Sequence, residues 1–367
     1  LHLRHLDSSI YGPLDSSIYG PLDSSWYCVG SRENRYEKTG ALSLTLTLEM
    51  TSPDHNEPGA METYLEAIQH NRDGSVILAA SGLTGRLWTG SLWYYEDSTS
   101  APDVNRCSAG VRTEAGITDV EWIDENRLAI GSDTGAIEIW QLESNAFRNL
   151  FYLYEHDSAV NSVSVNSNKT RVISGSSDRL IKLWDLATQR SIGTLNVHTA
   201  KVEQLACSPN ELEVFVSCSQ DGSVMLWDMR KAKPAQRLSC PSGLPTSVVW
   251  KPGESYVIAV GDESGSITLL DARSHQNAAI VTSAHTRAVH RLAFSTKSPL
   301  LLASVSDDCT AAVTELQPEL KQIYRSYAHN DFVHGLSWDS QSNKLLTCGW
   351  DRQVISHDIN IATSMAV

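Results

Sequence analysis

The sequence predicts an all-β protein, a seven-bladed β-propeller whose ring is closed by a strand near the amino terminus. The stretch SSDRLIKLWD at 176–185 returns as SQDGSVMLWD at 219–228, and in weaker form as DESGSITLLD at 262–271. Equivalent positions (140, 184, 227, 270, 314 and 357) lie 43 or 44 residues apart, the length of a four-stranded blade. Short β-rich runs alternate with turn residues, and no segment keeps helical apolar spacing over about ten residues.

The first blade is irregular, and the others follow the repeat in order. GRLWTGSLWYYE at 85–96 marks the first blade and holds four aromatic residues. We expect a propeller over 50–362, with blades at roughly 61–100, 113–155, 156–197, 198–240, 241–284, 285–328 and 329–360. Few residues follow the third strand of blade seven. A strand between 50 and 64, or LSLTLTLE at 42–49, is therefore expected to complete that blade.

The first 49 residues do not fit this pattern. LDSSIYGP occurs at 6–13 and 14–21, followed by LDSSWYCV at 22–29, and a period of eight matches no common repeat architecture. The first methionine is Met50. We expect residues 1–49 to be a non-native or disordered leader.

The composition limits the classes of partner. A formal charge of −14 disfavours direct binding to nucleic acid and suits a basic polypeptide. Seven scattered cysteines without a C-x-x-C pair favour reduced thiols, and no apolar run approaches the roughly 18 residues of a membrane span. The sequence therefore predicts a cytoplasmic and nuclear protein with no cofactor and no metal.

Histidine, serine or threonine, aspartate and tryptophan recur at the blade period. Together they could indicate a hydrolase, but a catalytic set is needed only once. Recurrence favours a structural hydrogen-bond chain inside each blade. The predicted structural residues are His156, Ser174, Asp178 and Trp184; His198, Ser217, Asp221 and Trp227; His285, Ser304 and Asp308; and His329, Thr347 and Asp351.

Two pairs, Trp184-Asp185 and Trp227-Asp228, complete the motif together with histidines 22–23 positions before the turn aspartate. On these residues the chain resembles the WD-repeat β-propeller family. The resemblance implies that the four-residue sets, here called tetrads, are buried structural networks and that the propeller is not an enzyme. The other blades diverge, with Thr134, Ser264, Thr314 and His357 at tetrad positions.

A closer resemblance spans residues 61–360. It is carried by METYLEAIQHNRDG, GRLWTGSLW, YEHDSAVNSVSV, HNDFVHGLSW and CSAGVRTEAG (107–116), taken as a loop between blades. These segments are similar to the methylosome WD-repeat subunits. The resemblance implies a non-catalytic scaffold that docks the type II protein arginine methyltransferase and presents Arg-rich substrates, such as histones and Sm proteins in snRNP assembly. It also implies a hetero-octamer.

The aromatic segment supplies the candidate docking residues. Neighbouring strand residues face opposite sides, so we expect Trp93 to pack between blades and Trp88 to be exposed at the blade edge beside Arg86. Tryptophan, tyrosine and arginine dominate binding hot spots. The resemblance places Arg86–Trp88 on the enzyme-facing side, and Tyr324 and Phe332 are further candidates. Packing under a loop for Trp88, and core packing for Tyr324 and Phe332, stay open as alternatives.

Two other functions are considered. LWDMR at 226–230 has the pattern of a substrate receptor of a cullin-type ubiquitin ligase, although Arg230 could simply lie in a solvated turn. A propeller hydrolase is more remote. His285/His290 and His329/His334 have H-x₄-H spacing, which places the two histidines of each pair on opposite faces of a strand.

Overall fold

Seven antiparallel sheets form the blades of a propeller in the computed structural model, which describes residues 60–85, 87–239, 243–273, 280–316 and 320–359. The architecture confirms the predicted fold. The predicted leader, most of the segment expected to complete blade seven, and Arg86 lie outside the described residues.

The strands follow one another outward within each blade, from the inner strand to the outer one. Blades one to four contain β1 Tyr64–His70, β2 Val76–Thr84, β3 Leu87–Tyr95 and β4 Ala109–Thr113; β5 Ile117–Trp122, β6 Arg127–Ser132, β7 Ala136–Glu143 and β8 Ala146–Tyr154; β9 Val160–Val165, β10 Arg171–Ser176, β11 Ile181–Asp185 and β12 Arg190–Leu195; and β13 Val202–Cys207, β14 Val214–Ser219, β15 Ser223–Asp228 and β16 Gln236–Ser239.

The remaining blades have the same antiparallel order. They contain β17 Pro245–Trp250, β18 Val257–Asp262, β19 Ser266–Asp271 and β20 Ile280–Ser283; β21 Val289–Phe294, β22 Leu301–Ser306, β23 Ala311–Glu315 and β24 Lys321–Ser326; and β25 Val333–Trp338, β26 Lys344–Gly349 and β27 Val354–Asp358. Within the described residues, blade seven therefore has three strands.

Blade one is longer than its sequence pattern suggests. Its fourth strand, β4, lies beyond the expected limit at residue 100, after two single-turn 3₁₀ helices at Ser98–Ser100 and Val104–Arg106. Half of the segment CSAGVRTEAG (five of its ten residues) is therefore this outer strand, and the segment is not simply a loop between blades as we expected. The hairpin of β2 and β3 is also extended, with Leu83 paired to Trp88.

The apolar cores lie between adjacent blades because each sheet buries both of its faces. Trp93 and Tyr95 of blade one pack with Leu346 and Cys348 of blade seven, so the described ring closes by packing between its first and last blades. Tyr94 points the opposite way, into the core shared with blade two. Trp93 is 1% exposed, which confirms that it packs between blades.

A buried ion pair crosses the central channel. Arg291 on the inner strand of blade six donates from Nη2 to Asp119 Oδ1 on the inner strand of blade two, at 2.6 Å. Asp119 also accepts a hydrogen bond from the backbone of Val163 in blade three. The pair links opposite sides of the ring and separates two cavities at the ends of the channel.

None of the helical turns in the described segments has the length and apolar character to cross a membrane.

Candidate functional site

The complete tetrads form closed hydrogen-bond chains. In blade three, His156 contacts Asp178 through Nδ1 (2.8 Å) and Ser174 through Nε2 (2.7 Å), and Trp184 Nε1 donates to Ser174 Oγ at 2.8 Å. Blade four repeats this geometry with His198, Asp221, Ser217 and Trp227 at 2.9, 2.7 and 2.8 Å. Each serine oxygen is held by two neighbours inside the blade, so the arrangement stabilises the fold.

The divergent blades keep parts of the same chain. His285 contacts Asp308 and Ser304 in blade six, where Thr314 replaces the tryptophan and its buried hydroxyl has no hydrogen-bond partner among the described residues. In blade two, Trp140 Nε1 instead donates to Glu138 Oε2 at 2.9 Å.

Blade seven extends the chain beyond its usual length. His329 contacts Asp351 and Thr347, and Thr347 Oγ1 lies 2.9 Å from Nε2 of His357, which replaces the tryptophan. The chain continues from His357 Nδ1 to the hydroxyl of Tyr324 at 3.0 Å. Tyr324 is thus packed between blades six and seven, the alternative considered from the sequence.

One end of the central channel opens into an acidic cavity of about 560 Å³, here called the channel mouth. Each inner strand contributes a residue near its start to the lining of this cavity. In most blades the residue before the turn aspartate, or before its equivalent, lines it as well. Its carboxylates are Glu66, Asp133, Glu203, Glu263 and Asp307, against the basic groups of Lys201 and Arg291. Arg291 is paired with Asp119, and Lys201 Nζ lies 2.9 Å from Glu203 Oε1. The mouth therefore carries an excess of negative charge.

The pKa values of three of these carboxyl groups are raised because the groups are partly buried. Burial raises the pKa of Asp133, Glu203 and Asp307. A cation bound at the mouth would favour their ionised forms, because an opposite charge nearby stabilises a carboxylate. The mouth is therefore suited to a positively charged ligand.

An aromatic patch adjoins the channel mouth and consists of Trp88, Tyr64, Trp350 and Phe332. The ring centroids of Trp88 and Tyr64 are 5.7 Å apart, those of Tyr64 and Trp350 4.8 Å, and those of Phe332 and Trp350 5.5 Å. Trp88 is 38% exposed and lines the mouth. The absence of a side chain on Gly116 lets Trp88 lie close to the blade: a Cβ built at Gly116 would be 3.1 Å from the Cβ of Trp88.

The structure thus brings two of the four candidate docking residues together, Trp88 and Phe332. The guanidinium carbon of Arg287 lies 5.7 Å from the centre of the Phe332 ring, which adds a cationic group beside the patch. Tyr324 is half-buried between blades six and seven, and Arg86 is outside the described residues.

Sequence reasoning missed a contact between two of the histidines at the mouth. His290 and His334, the second members of the H-x₄-H pairs, come from adjacent inner strands and stack with ring centroids 3.6 Å apart and planes 6° from parallel. The signal was their spacing of one blade period, which places them at equivalent positions of neighbouring blades.

Arg230, on which the ubiquitin-ligase alternative depends, forms an ion pair with a residue of its own turn. Its Nε and Nη2 donate to the two oxygens of Asp228 at 2.7 Å each. This two-pronged ion pair favours the interpretation of LWDMR as a turn.

Comparisons with family descriptions place the chain among the propellers. Residues 278–313 and 320–358 match the family described as WD domain, G-beta repeat. Residues 118–251 match the N-terminal domain of nucleolar protein 10-like proteins.

Similar proteins extend the comparison over the propeller. The chain is 39% identical over 306 residues to methylosome protein WDR77 of Xenopus laevis, covering 82% of this chain and 91% of that protein. It is 44% identical over 248 residues to the peroxisomal targeting signal 2 receptor of Mus musculus, covering 66% of this chain and 78% of that protein. A chain in the crystal structure of the mitotic checkpoint complex superposes with a TM-score of 0.68 at 20% identity, over 90% of this chain and 99% of the other, which shows the shared fold.

Proposed function

This chain belongs to the methylosome WD-repeat protein family, and we propose that it is the scaffold subunit that docks a type II protein arginine methyltransferase through the aromatic patch. It is a non-catalytic propeller, and its WD-repeat fold supports a role in binding other proteins.

The observation that carries the proposal is the aromatic patch itself. Trp88 lies on a hairpin that is longer than the corresponding hairpins of blades three and four. Its ring packs against Tyr64, which in turn packs against Trp350. Binding hot spots typically combine such large, pre-positioned aromatic side chains with a surrounding polar rim. Here the acidic mouth supplies part of that rim.

The same acidity supports a role in presenting substrate. We propose that Arg-rich tails, such as those of histones and Sm proteins, are attracted by the carboxylates of the mouth. A field of one sign increases the rate at which an oppositely charged chain associates. Salt would therefore weaken tail binding more than it weakens docking of the enzyme on the aromatic patch.

Replacing Trp88 tests the docking surface. We expect Trp88→Ala to weaken association with the methyltransferase by about 2 kcal/mol or more, roughly 30-fold in Kd, because a central aromatic anchor is lost. The combined Arg86→Ala and Trp88→Ala variant should lose at least as much. Binding would be measured by titration of the purified enzyme.

Tyr154→Ala is the matched control. Tyr154 is 61% exposed on the outermost strand of blade two, where it stacks on Tyr152 with ring centroids 6.4 Å apart. Truncation there removes a similar exposed aromatic group without touching the mouth. Equal affinities for the Trp88 variant, the Tyr154 variant and the parent chain would contradict the proposal.

The stoichiometry and the location in the cell are finer parts of the same proposal. We propose a hetero-octamer and a distribution over cytoplasm and nucleus, both suggested by the family resemblance. Mass measurement of the purified complex and cell fractionation would test them separately.

A further inference from the structure

We propose that His290, Asp307 and His334 form a binding site for a divalent transition-metal ion of the zinc class at the boundary of blades six and seven. Each side chain offers one ligand atom, and these atoms all lie within 4.8 Å of one another. Nothing in the sequence pattern or in the relatives' names assigns a metal to this propeller, so the inference goes beyond the proposed function.

The chemistry of the three groups selects the kind of ion. Two imidazoles and one carboxylate match the nitrogen and oxygen donors that zinc accepts, usually in a tetrahedral site. Calcium and magnesium prefer sets made entirely of oxygen atoms. Three protein ligands leave the fourth position to solvent or to a group from a docked protein.

The oxygen ligand is available for the ion. The Oδ1 atom of Asp307 is buried and has no hydrogen-bond partner within the described ranges. A buried polar atom without a partner destabilises the protein, and a bound cation would supply the missing partner. By contrast, the next residue, Asp308, has its carboxylate fully used by His285, Thr286 and Thr310.

A second carboxylate orients one of the histidines. Glu66 lies on the inner strand of blade one, and its Oε2 is 2.7 Å from Nδ1 of His334. An imidazole that donates through one nitrogen to a carboxylate presents its other nitrogen to a metal, and this pairing is the usual outer-shell arrangement of zinc histidines. His290 has no hydrogen bond with any other described residue, and its ring is held by stacking on His334, so coordination requires only that the ring shift within this stack.

The distances require only side-chain movement. In a tetrahedral zinc site with ligand bonds of about 2.0–2.1 Å, neighbouring ligand atoms are roughly 3.3 Å apart. Movement of the His290 and Asp307 side chains would close the remaining gap, while the Glu66 contact holds His334 in place.

The test is metal binding by the full chain without its enzyme partner. Chelator-treated protein would be titrated with Zn²⁺ by calorimetry and with Co²⁺ by visible absorption, which reports tetrahedral coordination. We expect one Zn²⁺ per chain with a Kd of micromolar or tighter. Asp307→Asn, His290→Ala and His334→Ala should each weaken it at least tenfold, and Glu66→Gln about 10–100-fold.

Matched controls separate this site from binding elsewhere on the chain. Asp133→Asn removes the equivalent mouth carboxylate of blade two, and His70→Ala removes an inner-strand histidine that contacts Ser337 instead. Both should bind Zn²⁺ within twofold of the parent chain, as should the docking variant Trp88→Ala.

Two results would overturn the proposal. One is the absence of Zn²⁺ binding by the parent chain, and the other is equal binding by Asp307→Asn and Asp133→Asn. Thermal melts with and without Zn²⁺ check that each variant is folded. Should His334→Ala fail to fold, Asp307→Asn decides the question.

Discussion

The histidines of the tetrads and those of the channel mouth are the same residue type in the same repeats, but their surroundings differ. His198 has hydrogen-bond partners on both ring nitrogens and recurs as His156, His285 and His329. His290 and His334 lie side by side at one blade boundary, next to a carboxylate oxygen without a partner. A cluster that recurs in several blades and has all its hydrogen bonds made holds the fold together. A cluster that occurs once and keeps a polar atom without a hydrogen-bond partner is available for a ligand.

Neighbouring aspartates in one turn give the sharpest test of this difference. Asp308→Asn should lower the free energy of unfolding by about 1.5–3 kcal/mol, because charged hydrogen bonds to His285 and to the turn are lost. Asp307→Asn should stay within about 0.5 kcal/mol of the parent or stabilise it, since burial raises the pKa of Asp307 and disfavours its charge. Denaturant unfolding measures both.

Reversed effects for these two substitutions would break the comparison. They would mean that Asp307 stabilises the blade through its charge and that the bonds to Asp308 contribute little. Asp133→Asn, at the position equivalent to Asp307 in blade two, should resemble Asp307→Asn.

The pH dependence of stability should follow the tetrad histidines. Burial lowers the pKa of His156, His198 and His329, and that of His357 to about 4. The unfolded chain binds protons at these imidazoles below about pH 6.5, while the folded chain does so only at lower pH. Stability should therefore be full above about pH 6.5 and fall by about 1.4 kcal/mol per pH unit for each such group.

Thermal melts between pH 7.5 and 4.5 would show this loss. His357→Gln keeps a hydrogen-bonding side chain but cannot be protonated. The number of protons taken up on unfolding should therefore be about one lower in this variant, and its stability should depend less steeply on pH. An unchanged slope in this variant, or a melting temperature independent of pH, would contradict the role given to the buried imidazoles.

The smallest expected effect concerns the turn that holds both aspartates. Cys309 has a positive φ of 66°, and glycine occupies the equivalent position in blades two, four and five. Cys309→Gly should raise the free energy of unfolding by about 0.5 kcal/mol, because the relief of left-handed strain slightly exceeds the entropy cost of glycine. The Kd for Zn²⁺ should not change, and calorimetry on the same sample would check that.

The opposite change at an equivalent turn provides the control. Gly265 has a φ of 89°, and a Cβ there would lie 2.3 Å from the carbonyl oxygen of His285. Gly265→Ala should therefore destabilise the protein by pushing against the backbone of His285, although it removes no side chain of either cluster. Its failure to do so would show that the turns tolerate strain and would remove the basis for the Cys309 prediction.

The repeating parts of the molecule were predictable from the sequence. The blade period, the tetrads of blades three and four, and the opposite orientations of Trp93 and Trp88 all follow from local patterns of alternation and spacing. The fourth strand of blade one was placed too early, because an insertion with two 3₁₀ turns separates β3 from β4 and breaks the period.

The sequence by itself determined the fold and its internal bonds, since these depend on patterns that recur within one blade or between neighbours in the chain. Only the tertiary structure decided what meets at the channel mouth. Ring closure brings Tyr64 of the first blade against Trp350 of the last, and Glu66 against His334, across almost the whole chain. Arg291 likewise reaches Asp119 on the opposite side of the channel. No local pattern encodes such contacts, because they arise from the number of blades and the curvature of the ring.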